Sequence, residues 1–140
     1  MGGGIKRQIV IVAAAALVDK EGAVLIAKRP RGRPLAGLWE FPGGKVEAGE
    51  EPEEALIREL KEELGIGIAK GDLSPLIFAS HAYPDFHLLM PVYLCRRWQG
   101  NVTANEGQEL AWVKPDELGL YDMPPADEPL KVALRDLLCI

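Results

Sequence analysis

The stretch "GGKVEAGEEPEEALIRELKEELGI", from Gly43 to Ile66, joins a glycine-rich segment to a strongly acidic one. Pro52 is suited to the first position of a helix, and the glutamates directly after it complement the positive end of the helix dipole. Gly65 is the residue type expected where a helix ends. The sequence therefore predicts a flexible turn over Gly43–Gly49 and then a helix from Pro52 to Gly65. The stretch holds eight of the chain's 21 acidic residues, namely Glu47, Glu50, Glu51, Glu53, Glu54, Glu59, Glu62 and Glu63.

The predicted helix has an apolar face and an acidic face. Leucines recur at every fourth position from Leu56 to Leu64, so they form a stripe that can pack on a sheet. Glu59, Glu62 and Glu63 share a neighbouring face, where like charges destabilise an isolated helix. A solvated helix face is one interpretation. The other is a site for a divalent cation, because Mg²⁺ prefers oxygen ligands and commonly uses a few carboxylates together with substrate phosphates.

Composition narrows the class of protein and of partner. The 140 residues are 48% hydrophobic and 26% charged, which is typical of one soluble globular domain. The net charge is −5 and the chain has no basic stripe, so a nucleic acid polymer is not expected as a partner. A small anionic ligand remains compatible with this charge if metal ions bridge the two negative surfaces.

The cysteines and the apolar N-terminal run give no sign of export. Cys95 and Cys139 form no metal or redox motif, so we expect reduced thiols in a cytoplasmic protein, with a single disulfide as the alternative. Lys6 and Arg7 precede the apolar run Ile9–Val18, a pattern that mimics a signal peptide, but the run is short and lacks a convincing cleavage site. We interpret it as a buried strand. No stretch is long enough to span a membrane, so no membrane partner is expected.

The order of predicted elements indicates a mixed α/β fold in one domain over residues 1–140. The predicted strands are Gln8–Val18, Ala23–Lys28, Trp39–Phe41, Leu73–Tyr83, Phe86–Trp98 and Glu109–Val113. Lys114–Leu118 is predicted to be a turn or a brief helical segment, and Glu128–Leu138 a C-terminal helix. Pro91 predicts a bulge or an edge strand because proline cannot donate to a sheet ladder. We expect residues 1–6 to be disordered.

A longer pattern surrounds the acidic helix. From Gly44 the sequence reads Gly, five residues, Glu50, seven residues, and then Arg58-Glu59-Leu60-x-Glu62-Glu63-x-Gly65-Ile66. This arrangement resembles the Nudix box at every defining position. The flanking stretches "LWEFPGGK" (38–45), "EGQ" (106–108) and "PPADEP" (124–129) are similar to the MutT branch of that family. The resemblance covers most of the chain, from the first strand to the last helix.

The resemblance implies a fold, a reaction and a cofactor. Nudix proteins form an α/β/α sandwich in which helices flank a mixed β-sheet. They hydrolyse nucleoside diphosphates linked to another group, with Mg²⁺ or Mn²⁺ as cofactor. MutT-like members convert nucleoside triphosphates to a monophosphate and pyrophosphate. Metal ions suit this reaction because they neutralise phosphate oxygens and lower the pKa of bound water.

The resemblance also assigns roles to residues of the box. Gly44 would contribute its carbonyl to a metal, and Glu106 would be a further ligand from a separate loop. Glu59, Glu62 and Glu63 would be the carboxylate ligands, and one of them would orient or deprotonate water. These carboxylates titrate together, so the sequence names no single base. Two residues would support them: Arg58 would hold carboxylates by charge-assisted hydrogen bonds, and Glu50 would brace the loop against the helix.

Other residues are candidates for recognition of the nucleobase. Arg29 matches a base-contacting arginine of MutT-like proteins, with an ordinary surface charge as the alternative. Phe41 and Tyr83 could line the base site, although core packing is an alternative for either. Trp39 and Trp112 are predicted to be core residues. Arg31 and Arg33 are predicted to face solvent or phosphate, and His81 and His87 to be part of a strand surface or the core.

Asp127, in "PPADEP", departs from the best-known MutT pattern, which has Asn at this place. An ionised carboxylate only accepts hydrogen bonds, whereas an amide both donates and accepts. Asp127 could accept from guanine N–H groups or from a cytosine amino group, but it would face the guanine O6 poorly unless protonated. A structural alternative is an N-cap for the C-terminal helix.

The expected function is Mg²⁺-dependent hydrolysis of 8-oxo-dGTP, which would cleanse the nucleotide pool. The alternatives are a CTP or modified dCTP pyrophosphohydrolase, and a non-catalytic nucleotide-binding regulatory module. The expected partner is a small nucleotide substrate, and the expected assembly is a monomer or a homodimer.

Overall fold

The structure is a computed structural model that describes residues 7–138. The expectation of disorder for residues 1–6 and the side chain of Cys139 lie outside the described residues. The strands are β1 (Gln8–Leu17), β2 (Val24–Lys28), β3 (Trp39–Glu40), β4 (Gly43–Lys45), β5 (Leu73–Ala82), β6 (Phe86–Cys95) and β7 (Glu109–Val113). The α-helices are α1 (Pro52–Leu64) and α2 (Glu128–Leu138), and short 3₁₀ helices span Lys70–Asp72 and Pro115–Leu120.

The strands form two sheets. The larger sheet has the order β4-β1-β6-β5, in which β1 is parallel to β6 and the other neighbours are antiparallel. The smaller sheet has the order β3-β2-β7 and is antiparallel throughout. A bridge between Val18 and Val24 links the end of β1 to the start of β2. The predicted mixed sheet is therefore confirmed.

The second half of the apolar run in β1, Ala13–Leu17, is buried on both of its faces, whereas Ile9 and Ile11 in its first half are exposed. Side chains alternate along a strand, so Ala13, Ala15 and Leu17 face one side and Ala14 and Ala16 face the other. The first set packs in a cluster with the leucines of α1, and the second packs in a cluster with those of α2. Helices cover both sides of the sheet, which confirms the predicted α/β/α sandwich. Within residues 7–138, no helix is both long and apolar enough to cross a membrane.

Local signals set both ends of α1. Pro52 lies in its first turn, and the Glu54 carboxylate accepts a hydrogen bond of 2.8 Å from the Glu51 N–H before the helix. Gly65 ends the helix in the left-handed conformation, with φ 70°. A residue without Cβ adopts that conformation at little cost. The helix predicted from Pro52 to Gly65 is confirmed, with its last helical residue at Leu64.

The predicted turn over Gly43–Gly49 is wrong in its first part, because Gly43–Lys45 forms β4. These residues pair with Val12–Ala14 of β1. A Cβ on Gly43 would lie 2.0 Å from the Ala13 carbonyl oxygen. Glycine is therefore required for the close approach of the two strands, and it does not signal flexibility here.

The expectations for Pro91 and Trp112 are corrected in detail. Pro91 lies in β6, which is an interior strand, and the irregularity falls on the neighbouring β5 between Pro75 and Ile77. Trp112 is 40% exposed and stacks on Trp98 with ring centroids 6.0 Å apart, so it is a surface residue and not a core residue.

Candidate active site

Arg58 connects the loop after β4 to helix α1. Its Nε and Nη2 atoms donate to the two carboxylate oxygens of Glu50 at 2.9 and 3.0 Å. Nη1 donates to Oε1 of Glu59 at 2.8 Å, and Nη2 also reaches the Lys45 carbonyl at 3.2 Å. Such a planar fork fixes several acceptors at once. The guanidinium therefore holds the loop and the Glu59 carboxylate in one arrangement.

Glu50 is fully engaged in this arrangement. One of its carboxylate oxygens also accepts a hydrogen bond of 3.0 Å from the Glu47 N–H. The hydrogen bonds from Arg58, followed by the one from the Glu47 N–H, lower the pKa of Glu50 to about 2. The same pairing raises the pKa of Arg58. Glu50 is therefore ionised and already paired, and its contacts join the loop to α1. This is the geometry that a bracing role for Glu50 requires.

Gly44 lies directly against the carboxylate of Glu59. A Cβ at this position would be 2.3 Å from Cδ of Glu59. Burial raises the pKa of Glu59, and the hydrogen bond from Arg58 opposes that effect. The backbone of β4 and this carboxylate therefore share one tightly packed corner of the molecule.

Glu63 has the most unusual environment of the acidic residues on α1. Its Oε2 atom is buried and has no hydrogen-bond partner among residues 7–138. Burial, followed by the negative charges of Glu59 and Glu106, raises the pKa of Glu63 to about 8. A buried polar atom without a partner is costly and is often explained by a ligand or an ion.

A loop from β6 to β7 closes the end of α1 and positions Glu106. The last carbonyls of a helix have no partner within the helix. Here the N–H groups of Thr103 and Asn105 donate to the carbonyls of Leu64 and Glu63 at 2.9 and 3.0 Å. Nε2 of Gln108 also donates to the Glu63 carbonyl at 3.1 Å. These contacts hold the loop beside the acidic face of α1.

A cleft of about 230 Å³ lies where these elements meet, and we call it the acidic cleft. Its acidic lining comes from four side chains, Glu40, Glu59, Glu63 and Glu106. Its basic lining comes from Lys28, Arg29 and Arg33. Glu62 does not line the cleft: its side chain is 59% exposed and lies 3.9 Å from Nη1 of Arg58.

A second, larger cavity of about 470 Å³, which we call the apolar cavity, adjoins the acidic cleft. Its lining includes all four residues predicted to recognise the base, namely Arg29, Phe41, Tyr83 and Asp127. Apolar side chains from β1 and β6 complete the walls. Tyr83 stacks on Phe86 at 5.0 Å, and its hydroxyl accepts a hydrogen bond of 3.2 Å from the Ala126 N–H. Tyr83 thus also ties the β5–β6 hairpin to the segment before α2.

Glu40 is a site residue that the sequence analysis missed. Its Oε2 accepts a hydrogen bond of 2.6 Å from Nε of Arg29, and it lines both the acidic cleft and the apolar cavity. Nη1 of Arg29 also donates to the Pro34 carbonyl at 3.1 Å. The position of Glu40 inside "LWEFPGGK" was the available signal, but its contact with Arg29 depends on the pairing of β2 with β3.

Asp127 is the most buried charged side chain of the apolar cavity, with 5% exposure. Burial, followed by the negative charge of Glu40, raises its pKa to about 7, while Arg29 acts in the opposite direction. The N-cap alternative finds little support. Pro129 has no N–H to donate, and the N–H of Leu130 donates to the main-chain oxygen of Asp127 at 2.9 Å. The carboxylate is therefore available to the cavity.

This geometry agrees with the match of the chain to a known family. The family model described as NUDIX domain matches residues 13–132. The chain belongs to the Nudix family.

Similar proteins of known name cover nearly the whole Nudix chain. A CTP pyrophosphohydrolase of Escherichia coli K12 is 41% identical over 133 residues, covering 88% of this chain and 90% of the relative. An 8-oxo-dGTP diphosphatase of the same strain is 35% identical over 126 residues, covering 90% and 96%. The crystal structure of a MutT NUDIX hydrolase from Burkholderia pseudomallei has a TM-score of 0.74 at 34% identity, covering 92% of this chain and 98% of that chain. The predicted family, fold and enzyme class are confirmed.

Nudix hydrolases generally use divalent metal ions and act on small nucleotides. Within residues 7–138, no three acidic, histidine or cysteine side chains already converge as a metal site. Glu59 is instead held by Arg58. The donor set nevertheless fits a hard cation. Four carboxylates line the acidic cleft, and a buried oxygen of one of them, Glu63, lacks a partner among residues 7–138.

Proposed function

We propose that this Nudix hydrolase converts nucleoside triphosphates to a monophosphate and pyrophosphate, with Mg²⁺ as its metal and Mn²⁺ as a substitute. The preferred substrate we propose is 8-oxo-dGTP. The observation that carries the proposal is the buried oxygen of Glu63, which has no partner in the described part of the chain, in a cleft beside an apolar cavity. An acidic cleft next to an apolar cavity suits a ligand with a charged end and an aromatic end. The nucleotide pool of the cytoplasm is the proposed place of action.

The metal would be held by oxygen atoms around the acidic cleft. We assign Glu59, Glu63 and Glu106 as carboxylate ligands and the Gly44 carbonyl as a main-chain ligand. Glu62 would join them from the exposed side of α1. When bound, the metal neutralises phosphate oxygens and lowers the pKa of water. Binding a cation would also relieve the repulsion among these carboxylates. Burial is the main cause of the raised pKa of Glu63, and this repulsion adds to it.

The remaining roles belong to residues that orient the ligands or the substrate. Arg58 fixes Glu59 by its 2.8 Å hydrogen bond and fixes the loop through Glu50. In the apolar cavity, Phe41 and Tyr83 supply aromatic walls for a base. The water oxygen would form its new bond at the β-phosphorus as the bond to the α-phosphate oxygen breaks. The nucleoside monophosphate would then leave and the water oxygen would remain in pyrophosphate.

The environment of Asp127 supports a purine substrate. A carboxyl that titrates near pH 7 is partly protonated at neutral pH. In that form it has one O–H donor beside its acceptor oxygen, so it can pair with a purine edge that offers both a carbonyl and an N–H. The raised pKa therefore gives Asp127 some of the hydrogen-bonding ability of the Asn in the best-known MutT pattern. The relative named 8-oxo-dGTP diphosphatase supports the same choice.

A second candidate substrate is CTP or a modified dCTP. An ionised Asp127 accepts hydrogen bonds and suits the amino group of cytosine. The relative named CTP pyrophosphohydrolase, at 41% identity, favours this candidate. Both candidate substrates would undergo the same reaction in the same acidic cleft. They require different protonation states of the Asp127 carboxyl.

A nucleotide panel tests the proposal. Purified protein with Mg²⁺ is assayed with 8-oxo-dGTP, dGTP, CTP and 5-methyl-dCTP, and the products are identified. Glu62→Gln and Glu63→Gln variants serve as controls. We expect pyrophosphate release and the highest kcat/KM for 8-oxo-dGTP, and Asp127→Asn should change the ranking. The proposal would be wrong if the unmodified protein released no more pyrophosphate than the Glu62→Gln and Glu63→Gln variants. Saturable nucleotide binding without turnover would instead indicate a regulatory module.

A further inference from the structure

The loop from β2 to β3 places an arginine at the acidic cleft. The loop closes on itself, since the Arg29 N–H donates to the Leu38 carbonyl at 3.0 Å and the Ala36 N–H donates to the Arg33 carbonyl at 3.1 Å. Nη1 of Arg29 donates to the Pro34 carbonyl at 3.1 Å, directly after Arg33. The main chain around Arg33 is therefore tied to Arg29, a residue that already lines the cleft.

The two arginines in the middle of this loop lie in different places. Arg33 lines the acidic cleft together with Glu59, Glu63 and Glu106. Arg31 lines a neighbouring cavity that none of these three glutamates lines. The two residues have the same charge and are two positions apart, so their surroundings are what distinguishes them.

The other cations of the cleft already have partners. Arg29 is paired with Glu40 at 2.6 Å, and the Lys28 ammonium lies 5.9 Å from the centre of the Trp39 ring. Arg33 takes part in none of the ion pairs between residues 7 and 138. Within residues 7–138, the Arg33 guanidinium is thus the cation of the cleft with neither an ion pair nor an aromatic ring as its partner, in a place where carboxylates and phosphates would otherwise repel each other.

The order of the two cavities indicates which group Arg33 meets. Arg29, Glu40 and Gly43 line both cavities and mark their junction, whereas Arg33 lines the acidic cleft and not the apolar cavity. A nucleoside bound in the apolar cavity would direct its phosphate chain through this junction into the acidic cleft. We propose that Arg33 binds the diphosphoryl end of the chain, the part that leaves as pyrophosphate. This assignment rests on the proposed function.

Binding of inorganic pyrophosphate tests the inference without any turnover. Calorimetric titrations with Mg²⁺ compare the unmodified protein with Arg33→Ala, Arg33→Lys and the matched control Arg31→Ala. A charge-assisted hydrogen bond is worth roughly 1.5–3 kcal/mol, so Arg33→Ala should raise the Kd for pyrophosphate about 10-fold to 100-fold. Arg31→Ala should change it by about twofold or less. Arg33→Lys should fall between Arg33→Ala and the unmodified protein, because lysine keeps the charge and loses the fork.

Inhibition by the nucleoside monophosphate product distinguishes a specific contact of Arg33 with the diphosphoryl end from a general effect of its charge on all anionic ligands. Arg33→Ala should leave the inhibition constant of the monophosphate within about twofold while it raises KM for the triphosphate. The inference would be overturned if Arg33→Ala and Arg31→Ala raised the Kd for pyrophosphate equally. It would also be overturned if Arg33→Ala weakened monophosphate binding as much as pyrophosphate binding. If pyrophosphate binds through Arg33 but no nucleotide is hydrolysed, the proposed function fails, while the contact of Arg33 with a diphosphate stands. If the protein hydrolyses nucleotides but Arg33→Ala binds pyrophosphate as tightly as the unmodified protein, the proposed function stands and the inference about Arg33 is wrong.

Discussion

Replacing Asp127 with Asn should stabilise the protein at alkaline pH and leave its stability nearly unchanged in acid. The carboxyl has an ordinary pKa of 3.8 and a folded-state pKa of about 7, chiefly because it is buried. A carboxyl with a raised folded-state pKa binds its proton more tightly in the folded state than in the unfolded chain. The free energy of unfolding therefore falls as pH rises from about 4 to about 7, and the loss is complete above pH 7.

The size of this effect follows from the two pKa values. Each pKa unit corresponds to about 1.4 kcal/mol, so ionising Asp127 in the folded protein lowers the free energy of unfolding by about 4 kcal/mol. Asn is nearly isosteric and carries no charge at any pH, so the variant should avoid that loss. For a domain of this length, the difference corresponds to a melting temperature higher by on the order of 10 °C at pH 8.

The assay is urea unfolding of the metal-free protein and of Asp127→Asn at pH 4, 6 and 8. Asp136→Asn is the matched control, since Asp136 lies on the same helix with a side chain that is 64% exposed. The difference between Asp127→Asn and the unmodified protein should grow from under about 1 kcal/mol at pH 4 to several kcal/mol at pH 8. A difference that is the same at pH 4 and pH 8 would refute the reasoning.

Three further predictions concern the acidic cleft. Arg58→Lys should lower kcat about 10-fold to 100-fold, because lysine cannot hold Glu50 with a bidentate fork. Steady-state kinetics measure this effect, and Arg135→Lys, at an exposed position, is the control. Gly44→Ala should weaken metal binding with little loss of thermal stability, because the atoms that the new Cβ meets first belong to the end of the Glu59 side chain. Gly71→Ala, which has open space around its Cβ, is the control, and equal metal affinities of Gly44→Ala and the unmodified protein would contradict this reasoning. Hydrolysis in ¹⁸O-labelled water should place the label in pyrophosphate, and mass spectrometry that finds it in the monophosphate would move the attack to the α-phosphorus.

The elements with local signals could be predicted from the sequence. Helix α1 begins at Pro52 and ends before Gly65, since a proline and a glycine mark those ends in the local sequence. Strand β4 is not evident from the local sequence because its existence depends on pairing with Val12–Ala14, about thirty residues earlier. Likewise, the interior position of β6 follows from parallel pairing with β1, which a lone proline at position 91 does not reveal.

The candidate site was likewise predictable only where its residues belong to one local motif. The resemblance to the Nudix box implied that Arg58 holds carboxylates, and in the structure Arg58 donates to Glu50 and Glu59. The roles of Glu40 and Gln108 could not be predicted, since each depends on an element that is distant in sequence and adjacent in the fold. The burial that raises the pKa of Asp127 is also a property of the packed cavity and not of the motif around it.

Calorimetric titration of Mn²⁺ into the protein tests most directly whether the acidic cleft holds a divalent cation through Glu63. Glu63→Gln removes the ionisable carboxyl with little change of shape, and Glu47→Gln is the matched control because the Glu47 side chain is 71% exposed. We predict that Glu63→Gln weakens Mn²⁺ binding at least about 10-fold, whereas Glu47→Gln changes it by about twofold or less. Equal Mn²⁺ affinity in Glu63→Gln and in the unmodified protein would contradict the account.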